Sequence, residues 1–89
     1  MNCGVYFIGS GEFVKIGISA DVMGRMEELQ RWDPVLLEVL AVEPMPSGRA
    51  VRRERELHWR FQLDRVRGEW FRKSPALLAH IAWLAKVVA

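Results

Sequence analysis

A tyrosine and a lysine near the start of the chain are the first residues whose types and spacing could support chemistry. Two strand-like runs, 5–8 and 13–18, flank turn-forming residues, which predicts an antiparallel hairpin. With a two- or four-residue loop centred on Ser10-Gly11, Tyr6 and Lys15 face each other with Cβ atoms about 5 Å apart. An ammonium group at that distance would lower the pKa of this tyrosine, the only one in the chain. A three-residue loop would separate the two side chains. The alternative is a tyrosine–lysine pair on a solvated sheet face.

A glutamate interrupts the apolar face of a basic helix further along the chain. Ala50, Leu57 and Phe61 recur at helical spacing, and Glu54 occupies the remaining position on the same face. A buried carboxylate without a partner is costly. Glu54 therefore requires a cation, a metal ion or a raised pKa, or else it pairs with a nearby arginine.

Two neighbours of Glu54 help to interpret it. His58 follows one turn later and would lie within reach of the carboxylate, although a half-buried, hydrogen-bonded histidine is the alternative. Glu56 lies off the apolar face, four residues from both Arg52 and Arg60, which is typical of a surface ion pair. Glu56 is therefore a natural control for Glu54.

Arg25 lies at the edge of the apolar stripe of the first predicted helix, beside Leu29. The planar guanidinium group is suited to bidentate contact with a phosphate. A salt bridge to Glu28 or Asp21 is the alternative.

Positive charge is concentrated in the second half of the chain. Residues 49–89 contain ten basic and four acidic residues, whereas residues 1–48 contain three basic and seven acidic ones. Such clustering is typical of a protein that binds a phosphate backbone, and a solvated helix face is the alternative. The candidate nucleic-acid-binding residues are Arg49, Arg52, Arg53, Arg55, Arg65, Arg67 and Lys73.

The elements that position these residues follow from periodicity and capping signals. After the hairpin, a helix is expected from Ser19–Asp21 to about Trp32, ended by Asp33-Pro34. A nearly continuous apolar run predicts a well-buried third strand at 35–42, followed by a loop at 43–48. The basic helix is expected over about 49–63 and a connection over 64–72. Ser74 as N-cap and Pro75 at the first position open the last helix.

The order β-β-α-β-α-α predicts an α+β fold with a small three-stranded antiparallel sheet flanked by helices. The length predicts one domain over residues 1–89. A composition of 51% hydrophobic and 27% charged residues is typical of a globular protein and excludes a disordered or low-complexity chain. The single cysteine, Cys3, predicts a reducing, cytoplasmic compartment. No apolar run approaches the ~18 residues of a membrane span.

Taken together, these residues resemble a known family, the GIY-YIG nucleases. Gly4-Val5-Tyr6 followed by Lys15-Ile16-Gly17 resembles the family signature, and Arg25 lies where the family places an arginine. The stretch 54–61 has the form E-x-x-L-H-x-x-F of one small branch, whose closing G-E-W-F is similar to residues 68–71.

The resemblance implies a metal-dependent endonuclease that hydrolyses DNA phosphodiester bonds with one divalent ion, Mg²⁺ or Mn²⁺. By this resemblance, Tyr6 is the general base or orients the attacking water, Arg25 contacts the scissile phosphate and Glu54 holds the metal. It places Lys15 near the nucleophile as a hydrogen-bond donor. Leu29 stands where many members carry a histidine or tyrosine, which leaves His58 as the candidate substitute.

Two other functions remain open from the sequence. One is a nucleic-acid-binding module without cleavage, and the other is a protein–protein interaction domain. The expected partner is DNA, with duplex and branched forms both open, together with a targeting protein. Trp83 lies opposite the apolar stripe of the last helix, so a monomer or a weak homodimer is expected.

Overall fold

Five antiparallel strands and three helices make up residues 2–88, the part of the chain that the computed structural model describes. In chain order they are β1 Asn2–Ser10, β2 Phe13–Ser19, α1 Val22–Gln30, β3 Glu38–Pro46, α2 Ser47–Arg60, a 3₁₀ turn Gln62–Asp64, β4 Arg65–Arg67, β5 Trp70–Arg72 and α3 Pro75–Val88. The predicted α+β class is confirmed. The predicted sheet of three strands is wrong, because the sheet has five.

The two additional strands lie in the segment that was expected to be a connection. β4 and β5 are three residues each and form a hairpin whose turn contains Gly68 at φ +55°. A strand this short has no room for a periodic pattern, so its signal is lost among the charged residues around it. The hairpin matters for function because it extends the sheet beside β2.

The strand order β3-β1-β2-β5-β4 places β2 at the centre, with β1 between β2 and the edge strand β3. The third strand begins three residues and ends four residues later than predicted, and it includes most of the expected loop. It was also expected to be well buried, yet Ala41 is its only buried residue. Because β3 is an edge strand, most of its residues are exposed or partly exposed, and the strand can accommodate Pro44 and Pro46, which have no amide to donate.

The hairpin of β1 and β2 turns one residue later than expected. Ser10 pairs with Phe13, so the turn is Gly11-Glu12, with Gly11 at φ +56°. Tyr6 therefore faces Gly17, and Lys15 faces Ile8. The predicted direct opposition of Tyr6 and Lys15 is wrong.

The prediction of which residues share a face of the hairpin is confirmed, because the register moved by an even number of residues. Val5, Phe7, Val14 and Ile16 are fully buried on the face that packs against α2 and α3. Tyr6 and Ile8 lie on the other face, in a second core formed with Leu37 and with α1. The sheet therefore separates two hydrophobic cores, and Tyr6 belongs to the smaller one.

Helix ends follow local chemistry closely. The Asp21 side chain caps α1 by accepting from the Gly24 amide at 3.0 Å, and Ser74 Oγ accepts from the Leu77 amide at 3.2 Å at the start of α3. Both caps were predicted. α1 ends two residues early, and α2 begins and ends two or three residues before its predicted bounds. Within residues 2–88, no helix is long and apolar enough to cross a membrane.

His80, which no sequence motif singles out, is buried on α3. Its ring lies 5.7 Å from the rings of both Phe7 and Phe61, centroid to centroid. Nδ1 accepts from Arg60 Nη1 at 3.4 Å, whereas Nε2 is buried without a partner among residues 2–88. Burial lowers the pKa of His80, Arg60 and Arg53 lower it further, and Glu43 opposes them.

We expect this histidine to make the fold sensitive to acid. The unfolded chain binds a proton near the ordinary histidine pKa of 6.5, whereas the folded chain resists protonation. The contribution of neutral His80 to stability is therefore complete above that pH and is lost as the pH falls through 6.5 toward the lower folded pKa, so the free energy of unfolding should fall between pH 7.5 and 5. Urea unfolding of wild type and His80→Phe at the two pH values measures the effect. The variant should lose less stability than the wild type on acidification. An equal loss in both proteins would contradict this role for His80.

Candidate functional site

The candidate site lies at the part of β2 that β5 leaves uncovered. β5 pairs only with Phe13–Lys15, so Gly17 lies beyond its end. The phenol of Tyr6 and the carboxylate of Glu69 both lie over Gly17. A Cβ atom there would overlap the phenol and would lie 2.9 Å from Glu69 Oε1. The absence of a side chain at Gly17 is therefore what allows Tyr6 and Glu69 to approach each other.

Tyr6 is 1% exposed, and the burial raises the pKa of its phenol. The Arg25 guanidinium opposes this shift, whereas the negative charges of Glu69 and Glu54 add to it. The predicted lowering of the Tyr6 pKa by Lys15 is therefore wrong. The phenol is protonated at neutral pH and acts as a hydroxyl group.

Lys15 has a carboxylate partner instead of the phenol. Its side chain is largely buried, and Nζ lies 3.2 Å from Glu69 Oε1. The same ammonium group lies 5.4 Å from the centroid of the Trp70 ring, which faces Lys15 across the sheet. Lys15 thus holds Glu69 beside Gly17 and balances its charge.

Arg25 is exposed on α1, and interactions with Glu28 and Tyr6 define the position of its guanidinium group. Nη1 lies 3.0 Å from Glu28 Oε2, so the salt bridge considered from the sequence is present. The other candidate, Asp21, is used as the helix cap. The guanidinium also lies close enough to Tyr6 to act on the pKa of the phenol. Arg25 therefore presents a cation at the entrance to the site.

Glu54 is half-buried on the otherwise apolar face of α2, as predicted from Ala50, Leu57 and Phe61, which are 0–4% exposed. Burial raises the pKa of its carboxyl group, and Glu69 raises it further; His58, Lys15 and Arg55 act in the opposite direction. None of the four ion pairs within residues 2–88 includes Glu54, so the predicted alternative of an arginine partner is not observed there.

The control residue behaves differently. Glu56 is exposed, and its Oε2 lies 3.3 Å from Arg53 Nη1. The expected surface ion pair is confirmed, but its partner lies three residues earlier rather than at Arg52 or Arg60. Glu54 and Glu56 are two positions apart on one helix and differ in both burial and pairing.

His58 is the half-buried, hydrogen-bonded histidine considered as the alternative. Because a carbonyl can only accept, Nε2 donates to the Ile16 carbonyl at 2.9 Å. The ring packs edge-on against Phe71 at 5.0 Å. The Ile16 amide donates to the Glu69 carbonyl at 2.9 Å. One residue of β2 therefore anchors both α2 and the β4–β5 turn.

Glu69 is the site residue that sequence reasoning missed. It belongs to the G-E-W-F stretch, but it received no role. A signal was present in the sequence, since residues 65–73 contain four cations and Glu69 is the only acidic residue in that stretch. Its position beside Tyr6 depends on the β4–β5 hairpin, which the sequence did not reveal.

Glu54 and Glu69 offer two carboxylates to a cation. No group of three or more His, Cys, Asp or Glu side chains arranged to hold a metal occurs within residues 2–88. A structural zinc site needs such a group. Magnesium is often held by one or two carboxylates and completes its shell with water and substrate phosphate. Two carboxylates are therefore the kind of donor set that Mg²⁺ or Mn²⁺ takes, and one that a structural zinc ion does not.

The structure does not bring the seven candidate nucleic-acid-binding residues together. Arg53 pairs with Glu43 at 2.7 Å, and with Arg49 and Arg52 it lines a groove beside β3. Helical spacing places these three on the side of α2 away from His58, whereas Arg55 acts on Glu54.

The remaining cations lie around the β4–β5 hairpin. Arg65 Nε donates to the Gly68 carbonyl at 2.7 Å. Arg67 lines a groove with Trp70, and Lys73 lines one with Phe13. Arg55 and Arg67 thus lie near site residues, through Glu54 and Trp70, whereas Lys73 lies beside the β1–β2 turn.

Comparison with known families corrects the expected resemblance. A family model described as the T5orf172 domain matches residues 4–88. This is not a GIY-YIG model, so the expected membership of the GIY-YIG family is wrong. The T5orf172 domain is nucleic-acid-related, which supports the functional expectation at that level. No curated protein and no solved structure matches the chain.

Proposed function

This chain belongs to the T5orf172 domain family, and we propose that it is an endonuclease that hydrolyses phosphodiester bonds of DNA at the Tyr6–Arg25–Glu54–Glu69 site. The observation that carries the proposal is the half-buried carboxylate of Glu54, which makes no ion pair within residues 2–88 and lies close enough to Glu69 for that carboxylate to raise its pKa. Burying a charge without a partner is costly, so such a group is a candidate for function rather than stability.

In this proposal Arg25 binds the non-bridging oxygens of the scissile phosphate, because its guanidinium is exposed beside Tyr6. The Tyr6 hydroxyl hydrogen-bonds to the attacking water and orients it; its raised pKa disfavours a role as general base. The reaction forms a bond from the water oxygen to phosphorus and breaks the bond to the leaving oxygen; the proton lost by the attacking water passes to solvent, and solvent protonates the leaving oxygen.

Glu54 and Glu69 would hold one Mg²⁺ or Mn²⁺ ion. When bound, such an ion stabilises the charge that develops on the phosphate and the leaving oxygen. Lys15 is a positioning residue that keeps Glu69 in place at 3.2 Å. His58 is a second one, because its bond to the Ile16 carbonyl fixes α2, and with it Glu54, against β2.

The test is cleavage of supercoiled plasmid and of end-labelled oligonucleotides by the purified chain, with Mg²⁺, Mn²⁺ or EDTA. We expect nicking that requires the cation. Duplex, branched and single-stranded substrates are compared in parallel. Absence of cleavage on all of them, with either metal, would contradict the proposal.

A nucleic-acid-binding module without cleavage is the second candidate, favoured by the 1% exposure of Tyr6. It predicts binding whose affinity falls steeply with salt, since phosphate contacts release counterions. Salt-dependent binding without cleavage would support this candidate over the first. Affinity independent of salt would contradict both and would favour a protein-interaction domain, for which Trp59 and Trp83, 74% and 56% exposed, offer contact surface.

A further inference from the structure

A partly apolar groove lies beside the candidate site and takes no part in the chemistry described above. It has a volume of about 400 Å³ and is lined by Ser10, Phe13, Asp33, Val66, Arg67 and Trp70. Phe13 and Val66 are 39% and 47% exposed. Aromatic side chains left open to solvent next to a functional site are candidates for ligand contact.

The groove and the site share one face of the sheet. Trp70 pairs with Lys15 across the strands, so both side chains point to the same side, as does Phe13 two residues earlier on β2. Lys15 Nζ lies 5.4 Å from the Trp70 ring centroid and 3.2 Å from Glu69. From Lys15 to Phe13 the offset along β2 is about 7 Å. The groove therefore lies on the same face of the sheet as the site, two residues along β2 from Lys15.

The charge around the groove favours an anionic ligand. Residues 65–73 contain four cations and one acidic residue, Glu69, which is paired with Lys15. Asp33, the carboxylate in the groove wall, is already hydrogen-bonded on both oxygens, by the Ser10 hydroxyl and the Val35 amide at 2.9 Å each. Arg67 is exposed and lies on the same side of the hairpin as its strand partner Trp70.

An aromatic surface flanked by cations suits a nucleobase and its phosphate, because bases stack on aromatic rings regardless of sequence. Within a duplex both faces of each internal base are covered by neighbouring bases, so an internal base must be unpaired to stack on a protein ring. We propose that the Phe13–Trp70 groove binds an unpaired base adjoining the scissile phosphate. The substrate class is then nucleic acid with a single-stranded segment at the cut. The link to cleavage rests on the function proposed above, whereas the binding does not.

The binding test uses fluorescence anisotropy in EDTA, so that it does not depend on cleavage. The probes are a labelled single strand, a blunt duplex and a duplex with a short unpaired flap. We expect wild type to bind the single strand and the flap more tightly than the duplex. Trp70→Ala should weaken that binding by about tenfold and leave duplex binding within about twofold, whereas Trp70→Phe should keep most of the affinity.

Two measurements separate stacking from a structural effect of Trp70. Phe13→Ala, at a more exposed position, should show the same selective loss, and Trp59→Ala, on the outer side of α2, should show none. Single-stranded oligonucleotide should also quench tryptophan fluorescence in wild type and much less in Trp70→Phe. Equal losses for all three probes, or the same quenching in both proteins, would overturn the proposal.

The groove could instead bind a protein, and an acidic peptide such as decaglutamate tests this. Binding of the peptide that depends on Trp70, together with no preference for unpaired nucleotides, would also overturn the proposal. Failure of the endonuclease is distinguishable: selective binding of single strands would then persist without cleavage. Conversely, cleavage without any preference for unpaired substrates would contradict the role proposed for the groove and leave the proposed endonuclease activity intact.

Discussion

Replacing Glu54 with glutamine is expected to lower the rate of cation-dependent DNA cleavage by about 100-fold or more, the effect typical of removing a group that stabilises transition-state charge. Glutamine has nearly the same shape but cannot carry the negative charge that a divalent ion requires. Initial rates of plasmid nicking at saturating Mg²⁺ measure the loss.

Glu56→Gln is the matched control. Glu56 is on the same helix, but it is exposed and paired with Arg53 at 3.3 Å. An exposed ion pair contributes little, about 0–1 kcal/mol, so this variant should cleave within about twofold of wild type. Equal rates in Glu54→Gln and wild type would show either that a contaminant cleaves the plasmid or that Glu54 has no role.

The stability of the Glu54→Gln variant is an independent test of the role of Glu54. Burial and the charge of Glu69 both raise the pKa of the Glu54 carboxyl group, so ionising this group costs more free energy in the folded chain than in the unfolded chain. Glu54→Gln removes that cost, and its Tm should equal or exceed that of wild type. A variant that is inactive yet no less stable identifies a residue kept for function. A clear fall in Tm would instead assign Glu54 a structural role.

The second large effect is expected for Gly17→Ala. The added methyl group would overlap the Tyr6 phenol and lie 2.9 Å from Glu69 Oε1. Since Tyr6 is 1% exposed and enclosed by its core, it cannot move aside freely. Overpacking of this kind typically costs about 1–3 kcal/mol of folding stability. Displacement of both site residues should also lower cleavage by about 100-fold, since small misplacements are costly in catalysis.

Gly48→Ala is the control for this substitution. A Cβ atom at Gly48 would meet nothing within 4 Å, and the residue lies in the first turn of α2. Alanine there should leave cleavage unchanged and stabilise the fold by up to about 1 kcal/mol. Thermal melts and nicking rates of the two variants side by side test the assignment. A fully active Gly17→Ala protein would show that the close approach of Tyr6 and Glu69 over Gly17 is not required.

Part of the candidate site could be predicted from sequence because it depends on local periodicity. Glu54 stands out among Ala50, Leu57 and Phe61 through helical spacing alone, and its half-buried environment follows from that position. Tyr6 and Lys15 were placed on the same sheet face because side chains alternate along any strand, whichever residue they face. The caps at Asp21 and Ser74 are likewise interactions over three residues.

The rest of the site depends on contacts between distant segments. Glu69 joins Lys15 at a separation of 54 residues, and His58 reaches the Ile16 carbonyl 42 residues earlier. Assignment of the family from short motifs also failed, because the motifs cover only a small part of the chain. A few motif residues scattered along the chain resembled one family, whereas the full span of residues 4–88 matches another.

The sequence by itself determined the α+β class, the two faces of the β1–β2 hairpin, the helix caps and the conflict at Glu54, because each depends on patterns within one helix or hairpin. Only the tertiary structure decided the hairpin register, the β4–β5 strands, the raised pKa of Tyr6 and the meeting of Tyr6 with Glu69 over Gly17. A two-residue slip keeps every side chain on its face, so periodicity cannot detect it. Packing of the two cores and the turn at Gly11 select one register, and that register places Tyr6 opposite Gly17, where it lies near Glu69.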